Sequence, residues 1–386
     1  MRFPWVSGYN TGMRVVVDIQ AAIAQRAGVG RYTKALVEHL APLAGEDELR
    51  LFYFDFTRRG TPFPVPGASE RVSRLCPGRV IQAVWKKASG LPFNWFAGRA
   101  DVYHFPNFIR PPLSRGRSAV TIHDLAFIRH PDTVETRNLA YLSSQIVQTV
   151  NRADRIIAVS DFTARELVEL LHVPPERIVT IYEGLTENVT RPDTAAVAAM
   201  RDQLGLDRPY LLMVGTIEPR KNIPFLVNVF EALGDFDGDL VLAGMRGWKC
   251  EPILRWIQNS SRAAQIKRLD YVPETLLPAL YSAAELFVFP SLYEGFGFPP
   301  LEAMACGTPV VSATTGSLPE VLGEGSVFVD GFDEQAWADA VHRVLTDSTL
   351  RASLRERGMT RARQFTWNAC AEKTWEVYRE LGGRRE

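Results

Sequence analysis

Short apolar runs alternate with longer amphipathic stretches along almost the whole chain. In the first half, "RVVVDI", "LRLFYF", "VYHF", "AVTIHD", "RIIAVS" and "IVTIYEG" predict strands. Helical patterns such as "GRYTKALVEHLAPLA" and "TRNLAYLSSQIVQTVNRA" fall between them. Continuous apolar runs suit strands buried on both faces, and their alternation with helices predicts a parallel sheet covered on both sides. Around residue 190 the pattern breaks. "TENVTRPDTAAVAAMRDQLGLDRP" is polar and turn-rich around one short helix and reads as a linker. Strand–helix alternation restarts with "YLLMVGTIEPRKNIPFLVNVFEAL" and continues through "LVLAG", "IKRLDYV", "LFVFPS", "PVVSA" and "SVFVD". The pattern predicts two α/β units in series, each doubly wound. It leaves open which unit the final helix, near "WNACAEKTWEVYRELGG", packs on.

Length agrees with this division, since 386 residues exceed one ordinary core. With 46% hydrophobic and 23% charged residues the composition is that of a globular protein. A formal net charge of zero argues against a nucleic-acid binder. Cys76, Cys250, Cys306 and Cys370 form no CxxC or metal-ligand spacing and read as reduced cytosolic thiols. No apolar run approaches the ~18 residues of a membrane span. "MRFPWVSGYNTG" has no apolar signal region, so residues 1–12 read as an extension with Met13 as the natural start. Charge is uneven, however. Nine basic residues between Arg71 and Arg117 face only Asp101, and Trp85, Phe93, Trp95 and Phe96 lie among them. Such a segment suits an anionic acceptor or a membrane interface, and equally a solvated face over core aromatics.

Ligands of open α/β sheets bind beyond the C-terminal strand ends, so the motifs there carry the chemistry. In "DIQAAIAQRAGVGRYTKAL", Gly28 and Gly30 precede a helix, where the backbone can approach an anion. A tight loop closing onto the sheet explains those glycines equally well. His123 of "VTIHDLAFIRHP" stands at a strand end, placed to donate to a sugar hydroxyl or to move a proton. The alternative is a histidine satisfied by backbone. In "AVSDFTARELV", Ser160 and Asp161 compete for a helix N-cap.

"LLMVGTIEPRKNIPFLVNVF" runs from a strand into Gly215 and Thr216, then through Arg220 and Lys221 to a helix. Cations before a helix N-terminus oppose its dipole unless an anion lies between. A diphosphate would serve, with Lys221 as a point charge and Arg220 gripping two oxygens. In "SLYEGFGFPPLEAMACGTPVV", Glu294 follows a strand, Gly295 and Gly297 free the backbone, and Pro299-Pro300 suits a helix entry. Glu302, eight residues beyond Glu294, is expected in the first helical turn, where the dipole favours an acid. Carboxylates pair with diols, and a sugar and a ribose each present one. With a diphosphate between them, the two acids describe a nucleotide-sugar site.

These residues resemble a known family. "EGFGFPPLEAMACGTPVVSATTGSLPEV" resembles the paired-glutamate signature of retaining glycosyltransferases of family 4, which have the GT-B fold. "GVGRYTKAL" resembles the family's acceptor-side glycine loop, and "VGTIEPRKNIPFLV" its diphosphate loop. "LDYVPETLLPALYSAAELFVFPS" resembles its base pocket, and "FTWNACAEKTWEVYREL" its closing helix. The likeness covers nearly the whole chain after Met13. It implies two Rossmann-like domains facing across a cleft: an acceptor-side domain at 1–188, a nucleotide-sugar domain at 189–365, and a helix at 366–386 crossing back to the first. It further implies that Glu294 binds the donor sugar, Glu302 the ribose, and the amides near Gly297 and Phe298 the phosphates. Arg220 and Lys221 would neutralise the leaving diphosphate beside Gly215 and Thr216. Tyr271-Val272 would meet the base, His123 the donor sugar, and Gly30 would sit near the phosphates.

No metal or cofactor is expected by this resemblance, with Arg and Lys taking a metal's electrostatic part. It implies retention at the anomeric carbon. The "HDLAFIRHPD" region is similar to members that use GDP-mannose or a related GDP-hexose in bacterial surface polysaccharides. The acceptor expected is a glycan or a lipid-pyrophosphate-linked oligosaccharide. Residues 71–117 would touch anionic membrane, and the protein would be cytoplasmic, peripheral on the inner face of the plasma membrane. A UDP-sugar transferase, a nucleotide-sugar epimerase of the same fold, a phosphorylase or synthase, and a non-catalytic binding subunit are the rival readings. One departure bears on the interdomain contact: where the family often has Asn-Gly-Val-Asp, this chain has "EGLTENV", with Glu183-Gly184.

Overall fold

A computed structural model describes residues 12–24, 28–58, 63–75, 80–81, 84–85 and 91–383. The expected extension lies outside these residues apart from Gly12, as do Cys76, Arg79, Lys86 and Lys87.

The first unit is built on a parallel sheet of β1 (Arg14–Asp18), β2 (Glu48–Phe54), β3 (Ser69–Ser73), β4 (Val102–Phe105), β5 (Arg117–Ile122), β6 (Arg155–Ala158) and β7 (Ile178–Thr180). Its order is β3-β2-β1-β4-β5-β6-β7. The second unit holds β8 (Tyr210–Val214), β9 (Asp239–Ala243), β10 (Ile266–Leu269), β11 (Leu286–Phe289), β12 (Val310–Ala313) and β13 (Ser326–Val329) in the order β10-β9-β8-β11-β12-β13. Both sheets are parallel and reverse strand order once, between β1 and β4 and between β8 and β11. That is the doubly wound Rossmann arrangement, and two such units make the GT-B fold.

Strand β3, "SERVS", has no counterpart in the hydrophobic pattern. It is an edge strand, largely exposed, with Ser73 alone buried, so no apolar run marks it. The central strands are the reverse: Val102–Phe105 and Leu286–Phe289 are buried at every position, as continuous apolar runs require.

The final helix, Trp367–Leu381, packs on the first unit. Trp367, Cys370, Ala371, Trp375 and Tyr378 join Val15, Tyr32 and Leu36 in its core. The chain therefore crosses between units twice, and the crossings run side by side: Leu185 N–H bonds Phe365 O at 3.0 Å. Gly184 is required there, because a Cβ would lie 2.2 Å from Trp367 N. A buried polar chain seats the returning helix. Tyr378 Oη and His104 Nδ1 are 2.6 Å apart, and His104 Nε2 is 2.8 Å from Thr121 Oγ1. Burial pushes His104 down to about 3, so it stays neutral and satisfied inside the sheet.

Cys250, Cys306 and Cys370 are buried free thiols. Among the described residues, no helix is long and apolar enough to cross a membrane.

Candidate functional site

The second sheet reverses between β8 and β11, so the segments leaving these two strands meet in one crevice. From β8 the chain passes Gly215 and Thr216, and a 3₁₀ turn over Pro219–Lys221 delivers Arg220 and Lys221 ahead of the helix Ile223–Ala232. From β11 it passes Ser291 to Glu294. Lys221 Nζ lies 2.5 Å from Glu294 Oε1, and Arg220 Nη1 lies 2.9 Å from Oε2. Ser291 Oγ donates to Oε1 at 2.5 Å. The anion that the cations before this helix demand is thus already present in the protein, as Glu294.

All three charges are largely buried. Burial alone would raise the Glu294 carboxyl, but Arg220 and Lys221 outweigh it and hold the group at about 2. Burial and the Arg220 charge press Lys221 down against the pull of Glu294. Arg220 is shared: it also donates to Glu218 Oε1 at 2.9 Å and to Tyr293 O at 2.7 Å. Arg220 and Lys221 are thus matched by two buried carboxylates, Glu294 and Glu218, and an entering anion has to compete with Glu294 for the cations.

Gly297, at φ 106°, ends the loop and precedes the helix Phe298–Ala305. The helix starts at Phe298, so Glu302 stands in the second turn rather than the first, and the dipole does not account for it. Its partners do. Arg31 Nη2 reaches Glu302 Oε1 at 2.6 Å from the first unit, and Tyr281 Oη donates to Oε2 at 2.8 Å. Arg31 also lies 3.4 Å from Glu274, and the Glu302 charge raises the Arg31 guanidinium. Arg31 follows Gly30 in the first turn of the helix Val29–Leu40. Sequence patterning did not single it out, because an Arg on a helix face is ordinary until its partner 271 positions away is known.

His123, just past β5, is tied at both nitrogens. Nδ1 is 2.9 Å from Glu183 Oε1 and Nε2 is 2.8 Å from Pro106 O. Both partners accept only, so the ring holds both contacts as imidazolium. Burial would lower it, but the Glu183 carboxylate raises it above its usual range. The departing Glu183 is therefore the counter-ion of His123. As a direct donor to a sugar hydroxyl, His123 has no N–H left uncommitted in this arrangement. Ser160, not Asp161, caps its helix: Ser160 Oγ accepts from Thr163 N and donates to Gly295 O, 2.7 Å across the cleft.

Of the other expected residues, Phe298 packs against Phe296 and faces Trp367 at a ring distance of 6.3 Å. Val272 is buried and Tyr271 half exposed on the loop after β10. Gly30 is buried at the helix start, and Gly215 and Thr216 stand beyond β8. Leu125 N–H donates to Tyr293 Oη at 3.0 Å, and Tyr293 in turn donates to Glu166. These contacts close the two units around the crevice. No group of three or more His, Cys, Asp or Glu among the described residues is placed to hold a metal.

Two facing Rossmann units with paired cations and carboxylates at the second sheet's reversal define a GT-B glycosyltransferase. Residues 26–188 match the family model "Glycosyltransferase Family 4" and residues 198–361 match "Glycosyl transferases group 1". The chain is 31% identical to the O-antigen chain mannosyltransferase B of Escherichia coli, over 96% of this chain and 100% of that protein. It is 35% identical to a D-inositol 3-phosphate glycosyltransferase of Thermobispora bispora, over 60% of this chain and 57% of that one. In structure it is similar to the sucrose-phosphate synthase of Thermosynechococcus elongatus, with TM-score 0.77, 22% identity, and 97% and 100% of the two chains covered. The chain belongs to glycosyltransferase family 4.

Proposed function

We propose that the protein transfers a hexose, with retention, from a nucleoside-diphosphate hexose to a hydroxyl of a bacterial surface glycan, free or carried on a lipid pyrophosphate. The observation that carries this reading is the Arg220–Lys221–Glu294 cluster, with Glu302 eight residues further on across a helix N-terminus. The diphosphate lies over Arg220 and Lys221 and the amides at Gly297 and Phe298, beside Gly215 and Thr216. Its ribose reaches Glu302, its sugar Glu294, and its base the loop at Tyr271-Val272; Gly30 faces the phosphates. As the anomeric C–O bond breaks, the two cations take up charge on the leaving diphosphate, so neither a metal nor a resident cofactor is required. The acceptor oxygen bonds to the anomeric carbon on the face the diphosphate leaves, and its proton passes to the departing phosphate.

GDP-mannose or a related GDP-hexose is the favoured donor, since the relative of matching length is named a mannosyltransferase. The protein works in the cytoplasm, peripherally on the inner face of the plasma membrane. Exposed Arg74, Arg99 and Arg115, with exposed Leu75 and Trp95, support such a contact in the 71–117 region. Anionic vesicles should bind the protein at low salt and release it at high salt.

Donor profiling tests the whole reading. Nucleoside diphosphate should be released from a GDP-hexose only when acceptor is present. Release without acceptor would point to an epimerase, and turnover confined to UDP-sugars would replace the donor. Glu294→Ala should lose turnover more than nucleotide affinity; equal loss of both would contradict a sugar-side role.

A further inference from the structure

The loop that leads to Arg220 and Lys221 leans on the loop of a neighbouring strand. β9 pairs with β8 and ends at Ala243, and residues 244–249 follow it. The ladder of the two strands carries on between these loops. Gly215 N–H donates to Ala243 O and Ile217 N–H to Met245 O, both at 2.9 Å, and Gly247 N–H donates to Ile217 O at 3.0 Å. Backbone meets backbone here: a Cβ at Gly244, whose φ is 156°, would lie 2.0 Å from Gly215 O. Segments bonded and packed this closely shift together.

The same segment reaches the first unit. Trp248 Nε1 donates to Thr133 O at 2.7 Å, and Lys249 Nζ donates to Asp132 O at 2.6 Å. Lys249 is held at φ 53°, a left-handed conformation that a residue with a Cβ seldom adopts. Such backbone persists where its surroundings fix it, and it collects at clamps and switch regions. The two acceptors belong to a 3₁₀ turn, Pro131–Thr133, whose last carbonyls have no partner within the turn. The turn is braced, since Thr133 Oγ1 donates to His130 O at 2.7 Å. It also stands beside the Glu294 loop, with the His130 ring 5.6 Å from that of Tyr293.

Two links therefore run in series. Trp248 and Lys249 tie residues 244–249 to the first unit, and 244–249 are bonded to 215–217, which lead into the turn carrying Arg220 and Lys221. Core packing does not account for Trp248: it is 37% exposed and belongs to no hydrophobic core.

We infer that Trp248 is a positioning residue for the transfer. Its indole N–H, seconded by Lys249, seats the diphosphate loop from across the cleft, so that Arg220 and Lys221 are set for the leaving diphosphate while the units are together. The inference rests on the glycosyl-transfer reading and adds to it a control on the leaving group. Donor affinity survives loss of the link, because Glu302, Tyr271-Val272 and the amides at Gly297 and Phe298, assigned to the donor, all lie on the second unit. The rate does not, because cations displaced by about 1 Å no longer match the charge that develops as the bond breaks.

Amide hydrogen exchange on the full-length protein, followed in peptides spanning 214–221, tests the link without any substrate. Trp248→Phe keeps an aromatic ring and removes the N–H. Exchange at 214–221 should quicken about fivefold for one hydrogen bond lost, with the thermal midpoint within a few degrees of the parent. Lys249→Asn tolerates the left-handed turn and should act in the same way, more weakly. In transfer assays Trp248→Phe should lower kcat about fivefold and leave donor KM within about twofold of the parent. Unchanged exchange at 214–221, a rise spread evenly over both units, an unchanged kcat, or a higher donor KM with kcat intact overturns the inference. Exchange of the expected pattern in a protein that transfers from no nucleotide sugar would sink the transferase reading and leave the link from Trp248 to residues 215–217 standing.

Discussion

Arg31 of the first unit holds Glu302 of the second at 2.6 Å, so the carboxylate assigned to the donor ribose is engaged from across the cleft. A ribose diol that takes both Glu302 oxygens has to displace Arg31 from one and the Tyr281 hydroxyl from the other. On that assignment, the pair ties domain closure to donor occupancy. Arg31→Ala should open the donor-free protein, shifting its closure equilibrium about tenfold for one charged hydrogen bond lost. Small-angle scattering should show a larger radius of gyration, with GDP affinity equal to or above that of the parent. An unchanged radius together with an affinity loss matching Glu302→Ala would mean that Arg31 serves the nucleotide directly.

The Lys221–Glu294 contact makes a claim about stability as well as turnover. Removing one partner of a buried pair leaves an uncompensated charge, typically about 3–5 kcal/mol. Glu294→Ala should therefore lower the urea midpoint strongly. The double variant Glu294→Ala/Lys221→Met should lose less than the sum of the two single changes, because the stranded charge goes with its partner. Additive losses in equilibrium urea unfolding would show that the pair is not coupled.

Most of the fold was legible because parallel strands leave continuous apolar runs, and a core helix such as Trp367–Leu381 leaves an amphipathic one. Strand β3 was not, since an exposed edge strand needs no apolar residues. At the site, Glu294, Arg220 and Lys221 stood out because each breaks a local rule of charge placement. What local rules could not supply was the partner. Glu294 proved to be the anion for the two cations, Glu302 was explained by Arg31, and Glu183, visible only as a departure, by His123. Each of these pairs joins segments that only the folded sheets bring together.

The His123–Glu183 pair sets a pH dependence. His123 is raised above its unfolded value near 6.5, so its protonated form is preferred by the native state. The resulting stabilisation is complete below about pH 6.5 and is lost as pH rises through the native value. Glu183→Gln removes the counter-ion and should abolish that loss. Thermal midpoints between pH 6 and 9 should then fall for the parent and stay flatter for Glu183→Gln. Parallel curves for the two proteins would mean that His123 is neutral and that its two contacts are not both hydrogen bonds.

Gly295 provides a steric test of closure. A Cβ at this position would lie 1.8 Å from the His123 carbonyl oxygen and 2.8 Å from Asp124 Cβ, and the first obstacle is backbone. Ser160 Oγ grips the Gly295 carbonyl from the first unit at 2.7 Å, so the loop carrying Glu294 rests directly on the strand end carrying His123. Gly295→Ala has to push the units apart or distort the Glu294 loop. Within one core, overpacking by a methyl costs about 1–3 kcal/mol; here separation of the units can relieve it, so global stability should fall less than activity. The expected result is a thermal midpoint within a few degrees of the parent, a larger radius of gyration, and transfer activity reduced at least about a hundredfold for a displacement of the order of 1 Å. Full activity in Gly295→Ala would show that the closed contact between His123 and Gly295 is not used during transfer.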